Sequence, residues 1–492
     1  MKNTLISSIL IFVSIIVYAD SIPILESKAK NYGSTIRHYE GVIGNDDNYY
    51  YNLVIETLPV LEKYNKKMEL VQSEDINYHK RIFANYDTVF FTYFKDSIYI
   101  IYPEVKLKYT LLWARTIDKE TFKLHDNERL LANIKHVKGF YPDFVVKQSI
   151  NRNKLLIIGK TAVHWSRSVT LDMMVFNAGL QQDWVRNDVL NYNDKPPREW
   201  EYSIDDEGNM HILTKIYEIR LISHAFSGQA EKNGYLIISV TNNGNYIQSN
   251  ELFLKDKFIR SIKLTEGPKG TFVCSGYYSN DYKYGSSGVF FISSAEQTNE
   301  MRAPLLYEFK ADLLARIIPE KQANKENAEL LLFKCATFRQ LDNGNFILIG
   351  QQEMDRTYDN FNDLVITCFS PHGDIIWNEV VNKKQSGFKH TSFAFVNPND
   401  QSSFKLVFNE HPKNDFTPMY SKHMRTSGFP GPYYIKVVEF NEFGERKQFR
   451  FKETRRERPT PMPKRIYDLR NGTIIMPTNH YNKYQLFELT LF

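Results

Sequence analysis

The chain has 492 residues and a formal net charge of +5 at pH 7, and 42% of its residues are hydrophobic. These proportions are ordinary for a globular protein with a sizeable core. Aromatic residues reach 14%, an enrichment that favours strands over helices. Basic and acidic residues are interspersed along the chain, which argues against a nucleic-acid-binding stripe, so we expect no nucleic-acid partner.

Residues 1–19 have the features of a targeting segment. Lys2 gives a positive start, an apolar stretch follows from Leu5 to Val17, and the chain then reaches a small-x-small-like cleavage site ending at Ala19. The apolar stretch is shorter than the roughly 20 residues that a membrane span needs, so a cleaved signal is favoured over a membrane anchor. We expect cleavage after Ala19, a secreted or periplasmic protein, and no transmembrane segment after cleavage.

A repeated pattern is clearest at Asp342–Gln385. This stretch contains an Asn-Gly turn, the apolar runs Phe346–Ile349 and Leu364–Phe369, a turn centred on Gly373, and a third strand that leads to Trp377. Short apolar runs between turn residues indicate strands that are buried on both faces. A small sheet that is apolar on both faces must stack on similar sheets, which predicts a repeat architecture.

Copies of the pattern recur along the chain, most closely at Lys154–Gly159, Leu171–Phe176 and Asp183-Trp184. We distinguish eight units of about fifty to sixty residues each, which fit a β-propeller. The predicted fold is therefore all-β, with a single propeller of seven or eight four-stranded blades over residues 37–492, eight being favoured. A β-sandwich array is the alternative fold, and it would place breaks between the units.

We make one prediction for each end of the propeller domain. Residues 20–36 are predicted to be a polar N-terminal lead-in. The last unit is incomplete, which predicts that one blade is completed from both chain ends.

One segment, 309–334, departs from the repeat. Leu313, Leu314 and Ile317 lie there among Ala, Glu and Lys residues. We predict a short helical insertion that is broken at Pro319. A helix packed on the rim of the propeller is favoured over a partner-binding arm.

The repeat resembles the blades of uncharacterised secreted β-propeller-like proteins from bacteria. The residues that carry the resemblance are Ile347-Leu348-Ile349-Gly350, Leu364-Val365-Ile366, Gly373-Asp374-Ile375-Ile376-Trp377, Gln385, Phe408-Asn409 and Lys413-Asn414. The Gly…Trp ending is also similar to the blade of quinoprotein-type propellers. The resemblance covers nearly the whole mature chain as a pattern, and it implies a fold and no activity.

Motifs that would identify an enzyme or a metal site are missing. The string Ser203–Gly208 resembles a sialidase-type Asp-box but has one residue too many before its glycine. There is no G-x-S-x-G, no H-E-x-x-H, no P-loop and no calcium loop. The three cysteines, Cys274, Cys335 and Cys368, are too widely spaced for a disulfide framework or a zinc site. We expect buried structural cysteines, no metal and no cofactor.

The longest connection that we predict, Asn409–Pro432, is the first place to look for function, because long loops on rigid scaffolds often carry it. Its polar side chains include His411, His423, Asp415, Tyr420 and Arg425. An ordinary surface loop remains the favoured interpretation.

Two further sets of residues have side chains suited to binding or catalysis. His164-Trp165 beside Arg167 could stack on a sugar ring, although a packed tryptophan is favoured. The acidic pairs Asp46-Asp47 and Asp205-Asp206 lie beside asparagine or glycine, where they most simply favour turns. The sequence therefore assigns no catalytic or binding residue.

Two functions remain open. The first is a monomeric, non-enzymatic binding module for a glycan, peptide or protein partner. The alternative is a propeller-type carbohydrate-active hydrolase or lyase with an acid/base carboxylate pair in the central channel. The absence of catalytic motifs favours the binding module. Two or more carboxylates, or a His–Tyr–Arg cluster, that converge at the channel mouth would overturn the binding-only interpretation. An apolar, plugged or uniformly polar channel would count against the enzyme.

Overall fold

The structure is a computed structural model. The residues that it describes are 15–16, 24–28, 30–31, 38–55, 58–77, 89–136, 139–163, 167–192, 196–219, 231–280, 285–354, 359–387, 391–397, 402–412, 414, 433–454, 460–480 and 483–491. Eight four-stranded antiparallel blades stand in a ring and form a β-propeller. This confirms the predicted fold with eight blades, and the β-sandwich array was wrong.

Blades 1 to 7 each use four strands in chain order, numbered here from the channel outward. Blade 1 comprises His38–Asn45, Tyr49–Ile55, Pro59–Asn65 and Leu70–Asp75. Blade 2 comprises Phe90–Phe94, Ser97–Val105, Tyr109–Ile117 and Arg129–Lys135. Blade 3 comprises Asp143–Gln148, Leu155–Val163, Ser168–Phe176 and Gln182–Asn191. Blade 4 comprises Arg198–Ile204, Met210–Ile219, Glu231–Thr241 and Tyr246–Leu252.

The second half of the ring follows the same plan. Blade 5 comprises Phe258–Glu266, Phe272–Ser279, Gly288–Ser293 and Leu305–Glu308. Blade 6 comprises Phe333–Gln340, Phe346–Met354, Asp359–Phe369 and Ile375–Val381, with Gln385–Gly387 also paired to its third strand. Blade 7 comprises Phe393–Val396, Phe404–Glu410, Tyr433–Phe440 and Arg446–Thr454, with Ile15–Ile16 parallel to its last strand. A small ladder outside the blades joins Gly285–Ser286 to Leu330–Leu331.

Blade 8 is built from both ends of the chain. The C-terminal part supplies Thr460–Pro461, Tyr467–Asp468, Thr473–His480 and Lys483–Thr490. The N-terminal strand Ile24–Glu26 then pairs antiparallel with the last of these, with Ile24 opposite Leu489, and Lys30–Asn31 pairs farther along it. The predicted closure of one blade by both chain ends is confirmed, and the closing strands lie within the segment 20–36.

The core lies between the blades, which explains the continuous apolar runs in the sequence. Ile347, Leu348 and Ile349 are all fully buried on the second strand of blade 6. Leu348 packs with Phe291 of blade 5, whereas Ile347 and Ile349 pack with Phe404 of blade 7. Successive side chains of a strand point to opposite faces, so a strand between two blades needs apolar residues at every position.

The predicted helical insertion consists of two short helices, Ala311–Leu314 and Glu320–Ala323, and Pro319 is the N-cap residue immediately before the second. Leu313 and Leu314 are buried in the core between blades 5 and 6, so the insertion packs on the rim. No helix in the described part of the chain is long and apolar enough to cross a membrane. Single-turn 3₁₀ helices occur in the described part of the chain at Pro268–Gly270 and Pro463–Arg465.

Candidate functional site in the central channel

The first strands of the blades line the central channel and are joined side by side. Ile204 of blade 4 donates its backbone N–H to Glu266 of blade 5, 3.2 Å away. Cys335 of blade 6 donates its backbone N–H to the hydroxyl of Ser261 of blade 5, 2.9 Å away. These bonds fix the relative height of neighbouring strands, so residues of different blades can be placed at common levels of the channel.

One level of the channel is highly charged. Lys147 of blade 3 donates to the carbonyl oxygen of Tyr202 at 2.8 Å. Lys263 of blade 5 is ion-paired with Glu201, the residue before Tyr202. The ammonium groups of blades 3 and 5 therefore approach adjacent positions of the same strand of blade 4.

Arg339 of blade 6 belongs to the same region. It lies four residues after Cys335, which is bonded to Ser261, so it stands close to the level of Thr265. Its charge also acts on Lys147, although blades 3 and 6 are separated in the ring by blades 4 and 5. Side chains from four blades thus meet in the channel, and we call Lys147, Glu201, Lys263, Glu266 and Arg339 the channel group.

The pKa of Lys147 is affected by the other four charged residues of the channel group. Its side chain is exposed, yet protein surrounds it, and this desolvation lowers the pKa of its ammonium. The positive charges of Arg339 and Lys263 lower that pKa further, while Glu201 and Glu266 raise it. Lys147 therefore stands in a confined space between charges of both signs.

The two carboxylates of the channel group already have partners. Glu201 pairs with Lys263 through one oxygen and accepts the backbone N–H of Leu264 at 3.4 Å through the other. Glu266 accepts the backbone N–H of Ile204 and, through its second oxygen, the hydroxyl of Thr265 at 3.3 Å. Both acids therefore join blades 4 and 5.

One face of the propeller, the turn face, carries the turns between first and second strands. There Arg152 of blade 3 donates to the hydroxyl of Tyr467 of blade 8, and its guanidinium lies 4.8 Å from the centre of that ring. The hydroxyl of Tyr467 donates in turn to Asn45 of blade 1 at 3.0 Å. Blades 3 and 8 are separated by blades 1 and 2, so this contact spans part of the channel mouth.

A second pair of turns strengthens this bridge. Arg470 of blade 8 donates to Asn151 of blade 3 at 3.0 Å, and Asn151 donates to Asp206 of blade 4 at 2.6 Å. Asp206 also accepts the hydroxyl of Ser149 at 2.5 Å. The turns of four blades are thereby linked, and the residues involved form what we call the turn-face clasp: Asn45, Ser149, Asn151, Arg152, Asp206, Tyr467 and Arg470.

A second polar feature lies on the opposite face, the loop face, where second strands end. The blade 6–7 cluster is a set of side chains that are at most 2% exposed: Gln351, Asp363, Lys383, Gln385, Ser392 and Glu410. The hydroxyl of Ser392 donates to Gln351 at 2.6 Å, and Lys383 donates its ammonium to the Ser392 carbonyl at 3.2 Å. The charged groups of the cluster are therefore enclosed between two blades.

Several hydrogen-bonding atoms of this cluster remain unused. Gln351 Nε2, Gln385 Oε1 and Glu410 Oε2 have no hydrogen-bond partner among the described residues. Burial lowers the pKa of Lys383 to about 7 and raises the pKa of Glu410. Buried charges with incomplete hydrogen bonding are unfavourable for stability, so such clusters are often associated with function.

The structure places part of the predicted loop site beside this cluster. His411 donates its backbone N–H to Glu410 at 2.9 Å, and Asn414 donates its side chain to the same carboxylate. His423, Asp415, Tyr420 and Arg425 lie outside the described residues, as do His164 and Trp165. The signal segment 1–19 also lies outside them, apart from residues 15 and 16.

The other candidates have structural roles. Asp46 accepts the backbone N–H of Tyr49 at 2.9 Å, and Asp205 accepts that of Asn209 at 2.8 Å, so both acids stabilise turns as predicted. Arg167 is exposed at the start of a strand. The three cysteines are free and buried, as expected. No group of His, Cys, Asp and Glu that could hold a metal ion occurs within the described ranges.

Sequence reasoning did not single out the channel group or the clasp. Lys147 and Arg339 are single charges in ordinary strands, and nothing near them in the chain sets them apart. Arg152 and Tyr467 are 315 residues apart. Gln385, Asn409 and Asn414, which carried the resemblance, and His411 of the predicted loop pointed toward the blade 6–7 cluster.

Comparisons with known proteins assign no family to the chain. No protein-family model matches it, and no curated protein matches it. The quinoprotein-like part of the resemblance therefore stays a prediction.

Solved structures match over most of the chain at low identity. A substrate-bound prolyl oligopeptidase B from Galerina marginata is 12% identical with a TM-score of 0.38, and the match covers 91% of this chain and 54% of that one. A protein of unknown function from Dyadobacter fermentans is 10% identical with a TM-score of 0.33, and the match covers 72% and 95%. An apocarotenoid oxygenase from Synechocystis is 8% identical with a TM-score of 0.33, over 86% and 89%. The chain spans about half the length of the prolyl oligopeptidase, and matches this distant assign it no activity or ligand.

Proposed function

We propose that the protein is an exported, monomeric binding module whose central channel receives part of a glycan, peptide or protein partner. The observation that carries the proposal is the channel group. A channel that only served packing would be filled with apolar side chains, whereas this one holds five charged residues from four blades.

The turn-face clasp indicates how a ligand would enter. It joins the turns of blades 1, 3, 4 and 8 across the turn face. We therefore propose the loop face as the entrance. His411 lies on that face beside the blade 6–7 cluster, and its partly exposed side chain would contact the parts of a partner that remain outside the channel.

A hydrolase or lyase is the second candidate, because the channel group contains two carboxylates. The negative charges of Glu201 and Glu266, on the adjacent blades 4 and 5, both raise the pKa of Lys147. Their hydrogen bonds favour the binding module, since each acid already joins two blades. An acid/base pair would have to release these partners during a reaction.

A binding screen combined with a cleavage assay tests the proposal. Full-length mature protein would be applied to a glycan array and an immobilised peptide library, and every bound ligand would be checked for cleavage. We expect binding without cleavage. Turnover that is lost in both Glu201→Gln and Glu266→Gln would establish the enzyme instead, and no retained ligand on any surface would refute the binding module.

A further inference from the structure

We propose that the channel binds an oxyanion (carboxylate, sulfate or phosphate) between Arg339, Lys147 and Lys263, either as a free ion or as the charged end of a larger ligand. This inference rests on the proposed function, because it assigns the ligand chemistry of the same channel. It adds the requirement that the recognised group be negatively charged.

The three cationic side chains lie at similar heights in the channel. Lys147 and Lys263 contact the adjacent residues Tyr202 and Glu201, so their ammonium groups approach the same height of the channel from opposite sides of blade 4. Arg339 stands close to that height on blade 6. Three cations from three blades therefore face a common space.

Arg339 and Lys147 have N–H donors that are not used in hydrogen bonds within the protein. The side chain of Arg339 is exposed, and its guanidinium makes no hydrogen bond or ion pair to any residue that the structure describes, so its five N–H donors are available. Lys147 has one acceptor, the Tyr202 carbonyl, for the three donors of its ammonium. A ligand with several acceptor oxygens would accept the remaining hydrogen bonds of both side chains.

The two carboxylates of the channel group do not balance all of its positive charge. Glu201 is neutralised by Lys263, and Glu266 is held by the N–H of Ile204 on the side facing blade 4. Neither carboxylate forms an ion pair with Arg339 or Lys147 within the described ranges. The three cations and two carboxylates of the channel group together leave one net positive charge, which a ligand would balance.

The chemistry of the guanidinium favours an oxyanion over other anions. Arginine presents a planar fork of N–H donors that matches carboxylate, sulfate or phosphate oxygens two at a time. Protein around the channel excludes part of the water, which strengthens attraction relative to an exposed surface. Chloride would gain the charge attraction without the paired hydrogen bonds.

Titration calorimetry at constant ionic strength tests the site with sulfate, phosphate, acetate and glucuronate as probes and chloride as reference. We expect saturable binding of at least one oxyanion, weakened at least tenfold in Arg339→Ala and in Lys147→Met. Arg339→Lys keeps the charge but loses the fork, so it should bind with intermediate affinity. Lys135→Ala, on the exposed outer strand of blade 2, is the matched control and should bind like the wild type.

Melting temperatures of all variants would confirm that they are folded. The inference is overturned if no probe binds saturably, or if Arg339→Ala and Lys147→Met bind as tightly as Lys135→Ala. Glucuronate that binds more tightly than acetate would indicate the charged end of a larger ligand, whereas equal affinities would indicate a free-ion site. Oxyanion binding without any array ligand would support this inference while refuting the proposed function.

Discussion

The indole of Trp377 in blade 6 lies flat against the ring of Phe440 in blade 7, with ring centres 5.9 Å apart and planes inclined by 12°. Its Nε1 donates to the carbonyl of Glu442 at 2.9 Å, in the turn that contains Gly444. Trp184 of blade 3 also docks on the next blade, since a Cβ at Gly244 of blade 4 would stand 3.0 Å from its Cε3, and its Nε1 donates to the Gly208 carbonyl at 3.0 Å. The tryptophan that ends the sequence repeat thus docks one blade on the next.

Gly444→Ala should weaken this docking. Gly444 has a φ of +81°, and a Cβ there would stand 2.7 Å from Cδ2 of Trp377. The left-handed backbone should lower the free energy of unfolding by about 1–2 kcal/mol, and the clash should lower it by about 1–3 kcal/mol more. Urea unfolding measures the total loss. Gly139 has a φ of +89° with nothing within 4 Å, so Gly139→Ala should show the strain alone. Equal losses in the two variants would mean that the tryptophan contact contributes nothing.

The closing strand of blade 8 should be required for a stable ring. Removing residues 1–31 deletes Ile24–Glu26 and leaves Lys483–Thr490 as an unpaired edge. We expect a lower melting temperature and self-association through that edge, measured by calorimetry and light scattering. Truncation after residue 463 removes most of blade 8 and should prevent stable folding. A stable, monomeric product of either truncation would contradict closure by both chain ends.

Lys383→Met should stabilise the protein, and the gain should depend on pH. Burial lowers the pKa of Lys383 to about 7 in the folded state, against an ordinary value of 10.5. As pH falls from 10.5 to 7, the unfolded chain takes up a proton that the folded protein does not, so the wild type loses stability over this range. The advantage of the variant should therefore be greater at pH 7 than at pH 9.5, by about 3 kcal/mol.

Urea unfolding at the two pH values measures this difference. Lys384→Met, at the half-buried neighbouring position, is the control and should change stability equally at both. A Lys383→Met variant that is less stable at pH 7 than at pH 9.5, relative to the wild type, would mean that Lys383 is a charged partner of Glu410.

The turn-face clasp predicts energetic coupling between blades 3 and 8. A double-mutant cycle with Arg152→Ala and Tyr467→Phe removes the hydrogen bond between them. We expect a coupling energy of about 1 kcal/mol from unfolding curves. Lys95→Ala with Asn153→Ala, an exposed contact of 2.6 Å between the adjacent blades 2 and 3, should couple more weakly. If the effects of Arg152→Ala and Tyr467→Phe on the free energy of unfolding are strictly additive, the two turns do not stabilise each other.

The strands that could be predicted from the sequence are those buried on both faces. The run Phe346–Ile349 was identified because packing against two neighbouring blades requires apolar residues at every position. Outer strands such as Leu70–Asp75 are exposed and polar, so no periodicity distinguishes them from loops. The closing strand Ile24–Glu26 is three residues long, and its pairing partner lies at the other end of the chain.

The candidate site was less predictable because it depends on contacts between distant residues. Lys147 and Arg339 approach the same level only after the ring has closed around the channel. His411 could be proposed from the length of its loop, but the buried Lys383 beside that loop looks in sequence like any surface lysine. Which charged side chains lie near one another therefore depends on closure of the ring, because closure brings together residues that are far apart in the sequence.

The most direct test of binding in the channel is a crystal structure of the mature protein with an oxyanion or array ligand that binds it in solution. The account predicts ligand density in the channel, with acceptor oxygens within hydrogen-bond distance of Arg339 and Lys147. Ligand density only on the outer surface of the blades, with an empty channel at full occupancy of the ligand, would contradict it.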